Sequence, residues 1–243
     1  MQDVIEWVCN AIHARASDQY VLVINVAKLV KALEDEDLHR IIDGADLVGV
    51  DGMPLVWYSK LLPECLPEKV SGIDIMMMMF QAANRARWSF YFLGATEEVI
   101  GAVRRKFLTE FPCATLLGYR DGYFKEAEEP AVVEKIRSSG ANILLIGFGS
   151  PRKEIFVERW KGQFGVNVIH GVGGSFDIYA GVTKRAPMWM QSAGLEWLYR
   201  LAQEPKRMFS RYAVTNTKFA VLVVRELPRI FWPKIVSLFH KQL

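Results

Sequence analysis

Three cysteines in 243 residues, Cys9, Cys65 and Cys113, are too few and too far apart for a disulfide framework or a zinc site. That scarcity suits a reducing compartment. No run of about 18 uninterrupted apolar residues occurs, so no membrane-spanning helix is expected. Stretches 73–83 and 219–224 come nearest, and both are short or broken by polar residues. The opening MQDVIEW places no cations ahead of an apolar segment, so no secretory leader is read and a cytoplasmic location is expected. A full G-x-G-x-x-G turn followed by an acid about 20 residues on is missing, as is a Walker lysine pattern. Their absence argues against a dinucleotide oxidoreductase and a P-loop NTPase. No Asp-x-Asp clamp for a metal on a sugar nucleotide is read either, and the four histidines (His13, His39, His170, His240) have neither metal nor triad spacing.

Apolar residues are abundant instead. They make up 51% of the chain against 23% charged residues, enough for a sizeable core and incompatible with a disordered or fibrous chain. The net charge of +3 conceals an imbalance: residues 1–183 carry 19 Lys/Arg and 24 Asp/Glu, a net −5, whereas residues 184–243 carry 11 and 3, a net +8. A basic end on a mildly acidic body points to phosphate-bearing partners or an anionic membrane surface, not to nucleic acid.

Over the first 180 residues short apolar runs alternate with amphipathic stretches. Runs 20–25, 47–50, 90–93, 114–117, 142–147 and 166–170 read as strands. Segments 27–43 (broken near the acids at 34–37), 74–86, 96–111, 130–138 and 151–160 read as helices. This order predicts an α/β fold with a mostly parallel, Rossmann-like sheet flanked by helices. Past Gly174 the chain interleaves aromatics with Arg and Lys, and Pro205, Pro228 and Pro233 punctuate it. We therefore expect an α/β body over 1–190, the catalytic part if the chain is an enzyme, and a basic helical, membrane-associating appendage over 191–243.

Ligands of parallel α/β sheets settle beyond the carboxyl ends of the strands. Asn25, Asp51, the 147–150 turn and the 171–177 loop stand there. Asp51 is either a carboxylate projected into a crevice or the first half of an Asp-Gly turn. The glycines at 147–149 and 171–174 serve equally as tight turns and as room for a phosphate. Arg200, Arg207 and Arg211, spaced by 7 and 4, fall within roughly 20° of one helical face. Such a stripe binds a diphosphate or simply faces water, and Glu196 offers Arg200 an i,i+4 partner. His170 ends an apolar strand and reads as structural, and Met76–Met79 as core or membrane-facing filler. The segment LPRIFWPKIVSLFHKQL at 227–243 suits either an interfacial helix or packing against the body.

Taken together, several motifs resemble the WecG/TagA/CpsF family of glycosyltransferases. They are GVGGSFD from Gly171, Lys184-Arg185-Ala186-Pro187, LEWLYR from Leu195 and Glu204-Pro205-Lys206-Arg207. Asp51-Gly52-Met53-Pro54, Gly72-Ile73-Asp74, Phe92-Leu93-Gly94-Ala95 and 118–124 support them. The resemblance spans nearly the whole chain. It implies transfer of a hexose-type sugar from a UDP donor to a saccharide on a polyprenyl diphosphate, at the inner face of the cell membrane, in cell-surface polysaccharide synthesis. Inversion, no cofactor, no required metal and a fold outside the two common glycosyltransferase architectures are also implied.

By the same resemblance Asp51 matches the general base, and Asn25, Gly171, Gly173, Gly174 and Asp177 line the pocket. Arg200, Arg207 and Arg211 match appendage arginines that meet diphosphate. Two positions depart from the family: Val23 stands where members commonly have Thr, and Lys153 where many have Gln. Both positions are implicated in sugar handling, so a UDP-glucose-type donor stands beside an N-acetylmannosamine type. Lys153 also offers charge to a diphosphate. A non-catalytic membrane-docking scaffold is the alternative.

Overall fold

Short β-branched runs become strands because their branched side chains pack well on a pleated surface, and continuous apolar runs suit strands buried on both faces. A computed structural model describes residues 2–63 and 65–240, the side chains of Arg207, Ser210, Arg211 and 227–240 excepted. Its elements begin with α1 (Gln2–His13), β1 (Gln19–Ile24), α2 (Val26–Ala32), α3 (Glu36–Asp43), β2 (Leu47–Val50), α4 (Met53–Ser59), α5 (Gly72–Ala86), β3 (Ser89–Gly94) and α6 (Glu97–Glu110). They continue with β4 (Thr115–Arg120), α7 (Glu129–Ser139), β5 (Ile143–Gly147), α8 (Arg152–Trp160), β6 (Val168–Gly171), α9 (Ser175–Ala180), α10 (Met188–Ser192), α11 (Glu196–Gln203) and α12 (Pro205–His240). Polar caps mark the boundaries. Asn25, Asp35, Ser71 and Thr96 each accept a backbone N–H of the helix they precede.

The six strands lie in the order β2-β1-β6-β5-β3-β4, with parallel ladders wherever pairing registers are fixed. Beside β1, β2 runs the same way: Asp46 donates its N–H to Tyr20 and Asp51 donates to Ile24. The expected α/β sheet is therefore all parallel, with its crossovers made by helices. Its order is not the 3-2-1-4-5-6 of the doubly wound dinucleotide fold.

The described chain divides into two compact units. The first comprises Met1–Val23, Asp35–Gly49 and Val70–Arg185. On one face of its sheet Phe80, Phe90, Phe92 and Phe107 pack edge to face or tilted, with ring centroids 4.7–5.9 Å apart. Each such pair adds about 0.5–1.5 kcal/mol beyond its buried area. Met76 and Met79 are fully buried in this core, so the methionine run is core filler. Phe124, Phe148, Phe156 and Phe164 form a second aromatic file.

The second unit joins Ile24–Glu34 and Val50–Lys69 to Ala186–Leu243. Val30, Leu55 and Phe219 form its buried centre, and Tyr58 meets Phe219 edge-on at 6.0 Å. Ion pairs Lys69–Glu196 and Lys218–Glu34 tie its segments together. One expectation is corrected here. Glu204 leaves helical geometry (φ −130°, ψ 62°) and Pro205 opens α12, so Arg200 lies on α11 while Arg207 and Arg211 lie on another helix. The 7-and-4 spacing does not run along a single axis, because proline has no N–H with which to extend the preceding ladder. Among the described residues no helix is long and apolar enough to cross a membrane.

Candidate active site

The second unit holds the first residues beyond β1 and β2. Asn25, extended at φ −127° and ψ 172°, accepts the Lys28 N–H at 2.9 Å and so caps α2. Its amide oxygen is committed to that cap, and its amide N–H groups are what it can offer a ligand. The Asp51 N–H donates at 2.7 Å to the carbonyl of Ile24, the residue before Asn25. The two residues beyond neighbouring strands are thereby brought side by side, both half-buried. Gly52 follows at φ +110°, a value that L side chains rarely adopt, and the nearest atom to a Cβ built there is 3.8 Å away. A half-open carboxylate next to a residue without a side chain can approach a ligand closely.

Arg200 is exposed on α11. The side chains of Arg207 and Arg211 lie outside those described. Glu196, read as a helical neighbour for Arg200, forms an ion pair with Lys69, 127 positions away in the chain. Lys69 carried no sequence signal, since only the tertiary fold brings it to α11.

In the first unit, the exit of β6 is organised around Lys153. Its side chain is 8% exposed, its Nζ lies 3.5 Å from the Gly171 carbonyl oxygen, and the carboxylate of wholly buried Glu154 is 3.6 Å away. A Cβ at Gly171 would stand 2.5 Å from the Lys153 Cε, so any side chain there would have to displace the end of the lysine. Buried Tyr20 of β1 belongs to the same layer: burial first, and then the Glu154 charge, push its phenol well above its ordinary value of 10.0. Gly173 turns at φ +54°, and the Asp177 Oδ2 would lie 3.8 Å from a Cβ at Gly174. The structure thus gathers Lys153, Gly171, Gly173, Gly174 and Asp177 in this unit.

Nearby, the ends of β3 and β5 are filled. A Cβ at Gly94 would sit 2.7 Å from the Gly147 backbone, and one at Gly147 would sit 2.4 Å from the Phe176 ring. Arg152 lies over Phe148 at 4.5 Å and donates to the Gly122 carbonyl at 2.7 Å. The 147–150 turn therefore carries packing. Against the expectation of no Asp-x-Asp, the chain contains one, Asp35-Glu36-Asp37. Asp35 caps α3 and Asp37 pairs with Arg40, so both are in structural use. Among the described residues no group of three His, Cys, Asp or Glu side chains converges to hold a metal ion.

The second unit thus offers a half-buried carboxylate, a hydrogen-bonding amide and an exposed arginine, chemistry suited to proton abstraction, and the first unit by itself offers a glycine loop backed by an ammonium, suited to anion binding. Residues 1–231 match a family described as the Glycosyl transferase WecG/TagA/CpsF family. The chain is similar to the N-acetylglucosaminyldiphosphoundecaprenol N-acetyl-beta-D-mannosaminyltransferase of Bacillus subtilis strain 168, 31% identical over 223 residues, covering 92% of this chain and 86% of that protein. A protein of the same name from Bacillus spizizenii strain W23 is 30% identical over 203 residues, covering 84% and 78%.

Proposed function

The chain belongs to the WecG/TagA/CpsF family and is a glycosyltransferase; from that premise we propose that it moves a hexose-type sugar from a UDP donor to a saccharide on a polyprenyl diphosphate, with inversion and without a metal. The observation that carries this reading is the placement of Asp51 and Asn25 just beyond adjacent strands, where the Asp51 N–H bonds the Ile24 carbonyl, next to a glycine that leaves room for substrate. Asp51 takes the proton of an acceptor hydroxyl, whose oxygen attacks the anomeric carbon as UDP departs from the opposite face. General-base help of this kind contributes about 10²–10⁴ in rate. Charge grows on the departing diphosphate, and cations placed on it lower the barrier. Arg200, Arg207, Arg211 and Lys153 are the cations for that task, with the Gly171, Gly173, Gly174 and Asp177 loop lining the nucleotide site. One of the arginines serves the lipid diphosphate of the acceptor.

The relatives' name favours UDP-N-acetylmannosamine as donor and a GlcNAc-bearing undecaprenyl diphosphate as acceptor. A second reading, a UDP-glucose-type donor, draws on Val23 and Lys153. Val23 offers a methyl group where a hydroxyl could bond an N-acetyl group, and Lys153 brings a buried ammonium to the loop. UDP release from UDP-Glc, UDP-GlcNAc, UDP-ManNAc and UDP-hexuronates, each with a lipid-diphosphate acceptor, separates the two. Turnover of none of these donors would overturn both readings.

The protein works on the inner face of the membrane, with residues 191–243 as the contact. On α12, Phe209, Val214, Val221 and Val224 are exposed and fall within an arc of roughly 140° at about 100° per residue. Lys218 and Arg225, also exposed, border that arc. An apolar face edged by cations is the pattern of a helix lying in an anionic interface. Met208 and Phe219 are buried on the other side.

A further inference from the structure

His170 is fully buried on β6, and both of its ring nitrogens face backbone carbonyl oxygens: Nδ1 lies 3.2 Å from that of Val21 and Nε2 lies 3.1 Å from that of Gly72. A carbonyl oxygen only accepts. A neutral imidazole has one N–H and one lone pair, so it can satisfy one of these carbonyls and must turn a lone pair on the other. The cation donates to both. Burial makes the distinction costly, since no water can replace a lost bond at a site this enclosed.

The ring also occupies a consequential place. It ties β1 and the first residue of α5 to β6, directly ahead of the loop that begins at Gly171. A Cβ at Gly72 would lie 3.8 Å from the Ser175 Oγ and 3.9 Å from the carbonyls of Gly171 and Val172, so the start of α5 is packed on that loop. We propose that His170 is a positioning residue held as an imidazolium, which fixes the glycine loop against α5 and sets a positive charge beneath the site for the UDP diphosphate. This rests on the reading of the 171–177 loop as the nucleotide site.

The elements packed around β6 carry both apolar and charged groups. Its partners across the ladders are Val21 of β1 and Leu145 of β5, both buried and apolar. From α5 comes Asp74, held bidentately by Arg185 at 2.6 and 2.7 Å, and from α9 comes Asp177. On α8, Lys153 lies along Gly171.

Long-range proton–nitrogen NMR on the 15N-labelled full chain reads the ring directly, with His170→Gln assigning its signal among the four histidines. Near pH 7 an ordinary imidazole, of pKa about 6.5, is mostly neutral. We expect His170 to show two protonated nitrogens there. One unprotonated nitrogen overturns the proposal. Calorimetric titration with UDP supplies the functional arm. Wild-type affinity is expected to fall as pH rises through the ring's titration. His170→Gln binds about tenfold more weakly near pH 7 and lacks that pH step. An identical pH dependence in the two proteins overturns the positioning role, and if the variant does not fold, a wild-type affinity that stays flat while the NMR signal titrates does the same. Absence of UDP binding by the wild type at every pH would instead overturn the nucleotide-site reading, and with it the positioning role, while the NMR arm still reports the ring's charge.

Discussion

At the exit of β6 the polar groups are buried, with Lys153 and Glu154 3.6 Å apart as an ion pair and His170 between backbone carbonyls, whereas the first residues beyond β1 and β2 are half-buried. Lys153, Glu154, Tyr20 and His170 are each less than 10% exposed. Asp51 and Asn25 are half-buried and Arg200 is exposed. A buried charge must be paired or it destabilises the fold, so the first cluster has little freedom and defines a fixed surface. A half-buried carboxylate can be reached by an incoming hydroxyl, which is what proton exchange requires. The contrast matches the proposed division between groups that hold geometry and groups that react, and on that proposal mutation has opposite consequences in the two places.

The largest expected effect lies on the open side. Asp51→Asn should lower sugar transfer by about 10²–10⁴ while the unfolding midpoint stays close to wild type, measured by UDP release and thermal circular dichroism. Transfer near the wild-type rate would remove Asp51 from its role. The buried side should behave in reverse. Lys153→Met leaves Glu154 without its nearest ammonium, and we expect a loss of about 3–5 kcal/mol in urea unfolding. The double variant Lys153→Met/Glu154→Gln should regain most of it, since a neutral pair no longer buries an unmatched charge. A single variant as stable as wild type would mean that the pair is not structural.

Smaller effects sharpen the division. Arg200→Ala should reduce kcat/KM about tenfold with stability changed by less than about 0.5 kcal/mol, as for an exposed surface residue. Val221→Asp with Val224→Asp should weaken binding to anionic liposomes in a flotation assay without slowing transfer to a short-chain soluble acceptor. Equal flotation would count against the α12 face as the membrane contact. The smallest expected effect is none: EDTA should leave the transfer rate unchanged, and a rate restored only by added divalent ion would refute transfer without a metal.

Much of the fold could be read from local pattern. The strands 47–50 and 90–93 appear almost residue for residue: 90–93 is buried on both faces and needs a continuous apolar run, and 47–50, a half-buried edge strand, is a short apolar run ended by Asp51-Gly52. The break within 27–43 falls where Asp35 caps a new helix. Among the candidate site residues, the positions of Asp51 and Asn25 were legible because they end apolar runs, and a strand end is where a parallel sheet presents ligand-binding groups; their roles came from the family resemblance. Lys69 and the Asp74–Arg185 pair were not legible. Their partners lie 127 and 111 positions apart, and no periodicity reports a contact at that separation. His170 was legible as structural, and its two carbonyl partners were not.

The sequence by itself determined the α/β alternation, the family and the residues beyond the strands, because these depend on short-range periodicity and on motifs read in order. Only the tertiary structure decided the strand order, the joining of 24–34 and 50–69 with 186–243, and which polar groups are sealed in. Those outcomes depend on burial between distant segments, where the cost of an unpaired charge selects one arrangement among many that local pattern allows.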